Sequence, residues 1–395
     1  MPRAPAKRPQ PDVSTDERRR VLHNLDRIED RLRDAPEGLH DAGDPADPAA
    51  LAASPLPAAA RLLWARFDGL ELAHGELRLY SLAALADAQA EAEERLAPGD
   101  VVIGERGGDV LVLAGDPHAE GADVVLVEED GERLPHSSCI DLLVLAALGE
   151  AAVLFDEEGE FQADLFGDDG ELSHAAERRM LRRHLDLDPD APLARFRLAQ
   201  SLRRGGEFRA AAGELGQLLR RAPEFAWAHH ELGRARLGLG DAVAAARAFV
   251  DAAEHAREQG LAAYFYAWAC LARGTGPEGQ EDRRAARVPE RAALASAVLT
   301  RSPNFAAAQE AGVREALEAD EGGRAREMLA LGLAVVPGHL GLLSLREAAA
   351  AAPEHAVRPE HAVEEVEEAI DEHTDDELAD DDDDELADDE LDDDE

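Results

Sequence analysis

The sequence predicts an α+β domain, with a mostly antiparallel sheet and flanking helices, followed by an all-α solenoid of helical repeats and a disordered acidic tail. Three observations support this order. Short runs of β-branched residues and leucine, separated by turn residues, lie between 101 and 127 and are typical of strands. Small residues recur every 34 residues after 192, as they do in helical-repeat arrays. Residues 359–395 contain 23 acidic residues and neither lysine nor arginine.

The length and composition indicate two domains with additional segments. A chain of 395 residues exceeds one ordinary domain, and 45% hydrophobic residues suffice to bury real cores. Aromatic residues make up only 4%, so alanine, leucine and valine must fill those cores, which favours helices. The expected segments are 1–14 (disordered and basic), 15–34 (amphipathic helix), 35–58 (linker), 59–165 (α+β domain), 171–350 (repeat domain) and 353–395 (disordered acidic tail).

The sequence predicts a soluble, cytoplasmic protein without a cofactor or a metal. Cys139 and Cys270 lie far apart in different predicted domains, so neither a disulfide framework nor a thiolate metal site is expected. No signal peptide and no run of about 18 apolar residues is visible, so no membrane span is expected. Lys7 is the only lysine among 41 basic residues, a bias typical of a GC-rich bacterial genome.

The charge indicates which partners the protein favours. The formal net charge is −44, of which the tail carries −23, so the rest of the chain remains near −21. Such a surface repels phosphate backbones, which argues against nucleic-acid binding. It attracts basic proteins and speeds their encounter, so a basic or peptide-like protein partner is expected.

The first half predicts one docked helix followed by a small mixed domain. Ser14 and Glu17 fit a capping box at the start of the helix, and Val21, Leu25 and Ile28 follow at helical spacing. The later elements are a helix at 59–66, a strand at 76–80, a helix at 82–96, strands at 101–104, 110–113 and 124–127, and a helix at 140–148 capped by Ser137 and Ser138.

This order of elements resembles the SUKH superfamily, which includes bacterial toxin-immunity proteins. The matching parts are the helix and glycine turn LWARFDGL (63–70), the hairpin VVIGERGGDVLVL (101–113) and the helix SSCIDLLVLAAL (137–148). The resemblance covers roughly residues 50–150 and implies a protein that neutralises or regulates another protein. The segment departs from the family in carrying fewer aromatic residues on its predicted sheet.

The second half carries the 34-residue repeat. The turn glycines Gly206 and Gly240 are one period apart, as are Ala211 and Ala245. Small residues where two antiparallel helices cross let their backbones approach closely. This pattern resembles the tetratricopeptide repeat (TPR) family over 192–256. The other parts of the array are a lead-in helix at 171–184, a degenerate repeat at 261–301 with an insertion from 274 to about 284, and a unit between the prolines at 303 and 337.

The TPR resemblance implies a binding face. TPR arrays expose a concave face made by the first helix of each pair, and aromatic residues and arginine dominate binding hot spots. The lysine and asparagine arrangement that clamps a terminal carboxylate in some TPR proteins is missing. The predicted protein-binding residues are Phe196, Gln200, Arg203, Trp227, His230, Arg234, Glu310 and Arg314.

Two charged features each allow two interpretations. The arginine pairs of the repeat domain either complement helix dipoles or form a groove that holds an acidic peptide, including the protein's own tail. The tail either keeps the protein in solution or mimics an anionic surface that engages a basic partner. The arginine pairs are at 178–179, 182–183, 203–204 and 220–221.

The sequence favours a protein without an active site. It contains no P-loop, dinucleotide fingerprint, GxSxG or HExxH motif. Residues 186–190 resemble the start of an EF-hand loop, but Ala191 and Arg197 replace the required glycine and glutamate. The first hypothesis is a non-enzymatic bacterial protein that binds another protein, in toxin immunity or regulation. The alternative is a TPR scaffold that assembles a cytoplasmic complex.

Overall fold

The computed structural model describes residues 14–117, 121–167, 172–275 and 289–353. The basic segment expected over 1–14 lies outside the described residues except for Ser14. Most of the expected insertion and, beyond Pro353, the acidic tail also lie outside them.

A meander of antiparallel strands forms the first domain. Within the described residues the sheet has seven strands, and each strand pairs with the next along the chain. Tight turns impose this order; Gly107 and Gly108, for example, adopt positive φ between β4 and β5. The predicted antiparallel sheet is confirmed. The strands are β1 Asp41–Ala42, β2 Leu70–Leu72, β3 Leu77–Leu79, β4 Val101–Arg106, β5 Asp109–Leu113, β6 Val124–Val127 and β7 Arg133–Ser137.

Helices cover both faces of this sheet. The helices are α1 Thr15–Asp34, α2 Pro48–Ala53, α3 Ala60–Trp64, α4 Leu85–Glu91 and α5 Ile140–Leu154. α1, α3 and α5 share one core with Ile103 and Leu111. α4 packs on β4 at the other face, where Val102 and Val112 are buried. The two faces alternate along each strand because the strand period is two.

The helix expected over 15–34 is α1, and the predicted Ser14 is its N-cap residue. The Ser14 hydroxyl accepts a hydrogen bond from the Glu17 amide at 3.1 Å. Val21, Leu25 and Ile28 are buried in the core of the first domain. α1 is therefore an integral part of that domain.

Residues 35–58, expected to be a linker, also belong to the first domain. They contain β1, which pairs with β2, and the short helix α2. Leu56 is fully buried in the same core as α1. The proline and aspartate residues that suggest a linker have another role here, because Asp47 caps α2 and Pro48 is its first residue.

The start of α5 differs from the prediction. Ser137 is the last residue of β7, and the backbone amide of Ser138 donates to Asp188 Oδ2 at 2.8 Å. Cys139 occupies the N-cap position, and no side chain caps the first turn among the described residues. Asp141 does lie in this turn, where Asn24 donates to its carboxylate at 2.7 Å.

The second half is a TPR-like array of helix pairs. The pairs α7/α8 and α9/α10 repeat after 34 residues, and Gly206 and Gly240 adopt positive φ in the turns within them. Ala211 and Ala245 are fully buried. The helices are α6 His174–Leu187, α7 Pro192–Arg204, α8 Phe208–Arg221, α9 Ala226–Gly238, α10 Ala242–His255, α11 Gln259–Thr275, α12 Arg291–Arg301, α13 Phe305–Glu318, α14 Gly322–Val335 and α15 Leu340–Ala351.

The stacking changes after α11. α14 packs against both α11 and α12. At this contact Cys270 donates to the carbonyl oxygen of Ala334 at 3.1 Å, and the Arg291 guanidinium donates to the same oxygen at 2.9 Å. The last helices therefore close against α11 and α12 instead of continuing the spacing of the first two pairs.

The first domain and the helical array pack directly against each other. α5 packs on α6, and β7 packs on α7. Gly121 approaches Ala222 so closely that a Cβ on it would lie 2.8 Å from the Ala222 Cα, and Arg221 Nε donates to the Gly121 carbonyl at 2.8 Å. None of the described helices is both long and apolar enough to span a bilayer.

Candidate protein-binding groove

The predicted concave-face residues lie on the first helices of three pairs. Phe196, Gln200 and Arg203 lie on α7, Trp227, His230 and Arg234 on α9, and Glu310 and Arg314 on α13. On α13 the two residues pair with each other, since the Arg314 guanidinium donates to Glu310 Oε1 at 2.7 Å.

The predicted binding arginines of α7 and α9, Arg203 and Arg234, each pair with a glutamate of the same chain. Arg203 Nε donates to Glu231 Oε2 at 2.5 Å. Arg234 donates to Glu327 Oε2 on α14 at 3.1 Å, and its guanidinium lies 5.1 Å from the Trp268 ring centroid. These contacts link α7 to α9 and α9 to α14.

The other predicted residues differ in how much of each side chain stays exposed. Phe196 is buried, with its ring centroid 5.0 Å from that of Phe225, whereas Gln200 is half-buried. His230 is 2% exposed, and neither ring nitrogen has a hydrogen-bond partner among the described residues. Burial, with smaller effects from Arg234 and Arg203, lowers the pKa of His230 to about 3, so its imidazole is neutral at pH 7.

Trp227 leads to a groove that the sequence does not predict. This interdomain groove has a volume of about 900 Å³ and lies between the β6–β7 turn of the first domain and the helices α9, α10 and α11. Trp227 and Tyr264, both half-buried, line it on the helical side. Glu132 and Pro135 line it on the sheet side.

The rings of Trp227 and Tyr264 pack against buried aromatic residues of the helical array. The Trp227 ring packs edge-on against Phe265 and His230, with centroid distances of 5.1 and 5.5 Å. Tyr264 lies 5.7 Å from the same His230 ring. Fixed rings of this kind lose little side-chain entropy when a partner packs on them.

Most of the charged side chains that line the groove are acidic. Its acidic residues are Asp130, Glu132, Glu224, Glu254 and Glu258. Among the lining arginines, Arg133 is already bound to Asp100 at 2.6 Å in a buried ion pair. The acidic charge therefore exceeds the basic charge on the groove surface.

The crowding of these carboxylates affects their protonation. Burial raises the pKa of Glu132, a hydrogen bond from the Trp227 indole offsets part of the shift, and Glu128, Asp130 and Glu258 raise it further. Carboxylate oxygens of Glu128, Asp130 and Glu132 lie within 4.8 Å of one another and could share a cation. A positive group in this place would relieve the repulsion.

A largely buried polar cluster joins the sheet and α5 of the first domain to α6 of the helical array. Glu150 of α5 accepts from Arg106 on β4 at 2.6 Å and pairs with His184 on α6 at 2.8 Å. Arg106 lies 3.2 Å from His136 Nε2 on β7. Burial raises the pKa of Glu150, but the contacts with Arg106 and His184 outweigh it and hold this pKa well below its usual range. We call Arg106, His136, Glu150 and His184 the interdomain clamp.

The sequence predicts a binding role for Trp227, which lines the groove, but it does not single out Glu132, Glu258 or Tyr264, which line it as well. The acidic residues at 128–132 are visible as a charged turn between two strands. Their spacing carries no sign that they face helices that begin almost a hundred residues later. The packing of the first domain on the helical array, which includes β7 on α7, brings them together.

Comparison with solved structures finds TPR proteins. The crystal structure of YrrB, a TPR protein with an unusual peptide-binding site, matches 44% of this chain and 82% of that chain at 18% identity and a TM-score of 0.28. The APC/C hetero-tetramer Cut9–Hcn1 matches 45% of this chain and 39% of that chain, at 18% identity and a TM-score of 0.19. At these TM-scores, neither structure bears on what this chain binds. No protein-family model and no curated protein matches the sequence significantly, and nothing in these comparisons identifies a SUKH domain.

Proposed function

We propose that the chain is a non-catalytic protein-binding scaffold whose partner binds in the interdomain groove. The observation that carries this proposal is the groove itself. It has the size of a specific binding site, and two half-buried aromatic rings lie between walls from two packed regions. Aromatic anchors that are fixed and partly exposed are typical of binding hot spots.

The side chains of the groove support a binding role over a catalytic one. Among the described residues that line it, there is no serine, threonine or cysteine to act as a nucleophile. The arginines of the concave face are paired with glutamates, so this face contributes to the rigidity of the array.

Site-specific crosslinking tests the proposal. A photo-crosslinking amino acid is placed at Leu261, inside the groove, in the full chain expressed in its source organism. The same amino acid at Leu340, which is 81% exposed at the far end of the array, serves as the control. We expect one discrete partner at position 261 and none at 340. Equal labelling at both positions, or no partner at 261, would contradict the proposal.

Toxin immunity, which the SUKH resemblance implies, is a second candidate. The observation that favours it is that the β6–β7 turn of the first domain forms one wall of the groove. The first domain then contacts the partner and does more than support the helices. This candidate predicts that the partner crosslinked at position 261 is a toxic protein whose activity falls when the chain is added. A crosslinked partner without toxicity would leave only the scaffold function.

A further inference from the structure

We infer that the interdomain groove receives an arginine- or lysine-bearing segment of another protein, with a cationic side chain held between Trp227 and Glu132. This inference rests on the proposed function and specifies the chemistry of the partner.

Charge complementarity supports the choice of a basic segment. Five carboxylates line the groove, and none of them takes part in an ion pair among the described residues. Elsewhere in the helical array, acidic side chains form ion pairs with arginines: Glu231 pairs with Arg203, and Glu327 pairs with Arg234. Carboxylates that crowd together and outnumber the two lining arginines, Arg133 and Arg257, favour a ligand that carries positive charge.

The aromatic rings support the same choice independently. Trp227 and Tyr264 present half-buried rings to the groove, and tryptophan is the strongest partner for a cation over its face. Within the described part of the chain this contact occurs twice, with Arg234 5.1 Å from the Trp268 centroid and Arg301 4.8 Å from the Tyr266 centroid. A guanidinium between a ring and a carboxylate combines both attractions.

Trp227 and Glu132 place the two chemistries on facing walls of the same groove. The indole of Trp227 belongs to the helical wall, on α9, and Glu132 belongs to the sheet wall, at the β6–β7 turn. An incoming cation therefore meets a ring and a carboxylate at one point. An acidic or phosphorylated segment would meet repulsion at the same point.

The test uses a defined peptide and the full chain. The probe is an octapeptide of alternating alanine and arginine that carries a benzophenone crosslinker, and an alanine–glutamate octapeptide is the control. Mass spectrometry maps the crosslinks, which separates binding in the groove from binding to the acidic residues at 359–395. We expect crosslinks at 128–132 and 254–264 with the arginine peptide only. Crosslinks confined to 359–395, or equal labelling by both peptides, would overturn the inference.

Charge-matched variants sharpen the test. Glu132→Gln combined with Glu258→Gln removes two charges from the groove, and we expect groove crosslinking to fall at least tenfold. Glu318→Gln combined with Glu347→Gln removes two exposed charges outside the lining and should leave it within about twofold. Because these changes are conservative and lie at exposed or half-buried positions, they should preserve folding. Equal losses in both double variants would overturn the inference.

A final arm separates a partner from the chain's own basic residues. Residues 1–13 contain Arg3, Lys7 and Arg8 and could compete for the groove. Deleting them should leave peptide crosslinking in the groove unchanged. A tenfold increase would assign the groove to this segment and overturn the claim for a partner. If the arginine peptide fails while position 261 still captures a discrete partner, the basic-segment inference falls and the scaffold function stands.

Discussion

Gly233 on α9 shows how closely the repeat helices approach each other. A Cβ at this position would lie 2.5 Å from the Phe249 ring of α10, and Phe249 is fully buried. A methyl group has no room there unless the ring or the helix moves. The small residue at this point of the 34-residue period is thus required by packing, as the sequence predicts for helix crossings.

Gly233→Ala should lower the free energy of unfolding by about 1–3 kcal/mol, because the added methyl group overpacks the contact with Phe249. Gly213→Ala on α8 is the matched control, since nothing lies within 4 Å of its added Cβ. It should raise stability by about 0.5–1 kcal/mol through helix propensity. Urea denaturation followed by circular dichroism measures both, and equal effects would contradict the packing argument.

His230 makes stability depend on pH. Its pKa is about 3 in the folded chain and near 6.5 when unfolded, so the unfolded chain binds the proton first as pH falls. The contribution of the neutral imidazole is complete above pH 6.5 and is lost below it, by at most about 1.4 kcal/mol per pH unit.

His230→Leu removes this proton-binding site and leaves a side chain of similar size. The loss of stability between pH 7 and pH 5, measured by urea denaturation, should therefore be smaller in the variant than in the native chain. An identical loss in both would show that His230 does not titrate on unfolding.

The interdomain clamp joins four elements through Glu150. Glu150→Gln should lower stability by about 1–3 kcal/mol, because it leaves the part-buried guanidinium of Arg106 without its counter-charge. Glu347→Gln, at an exposed position on α15, should change stability by no more than about 0.5 kcal/mol. Thermal unfolding of the two variants distinguishes a structural clamp from a surface ion pair, for which both losses would be small.

The segment 35–58 provides a test of domain boundaries. A chain of residues 59–353 lacks α1, β1 and α2, and it exposes the core that Leu25, Ile28 and Leu56 fill. We expect it to unfold at a much lower temperature than a chain of residues 14–353, which keeps these elements. Similar unfolding temperatures would show that residues 14–58 as a whole are dispensable for the fold, which would contradict the assignment of 35–58 to the first domain.

Some elements can be predicted from the sequence and others cannot, for physical reasons. Strands β4, β5 and β6 are runs of buried residues bounded by turns, so hydrophobic pattern alone finds them. β7 contains Pro135 and the polar residues Arg133 and His136, and it lies at the end of the sheet where proline is tolerated. Its strand character comes from its neighbours β6 and α7, and sequence reasoning misses it.

At the scale of the whole molecule, the net charge of the chain and the charge of the interdomain groove have the same sign. The chain carries a formal charge of −44, and the interdomain groove has the same sign. A basic segment would be drawn first by the overall field and then held by local contacts, so its binding should weaken with added salt. The sequence predicts the sign of the partner from composition. The groove itself depends on how two regions pack, which no local pattern encodes.

The binding of a basic segment at Trp227 can be observed directly by fluorine NMR. The chain has three tryptophans, and Trp64 and Trp268 are buried, so 5-fluorotryptophan labelling gives three resonances in distinct environments. On addition of the alanine–arginine octapeptide, the Trp227 resonance, assigned with Trp227→Phe, should shift progressively while that of Trp64 stays fixed. An unmoved Trp227 resonance at saturating peptide would contradict the account.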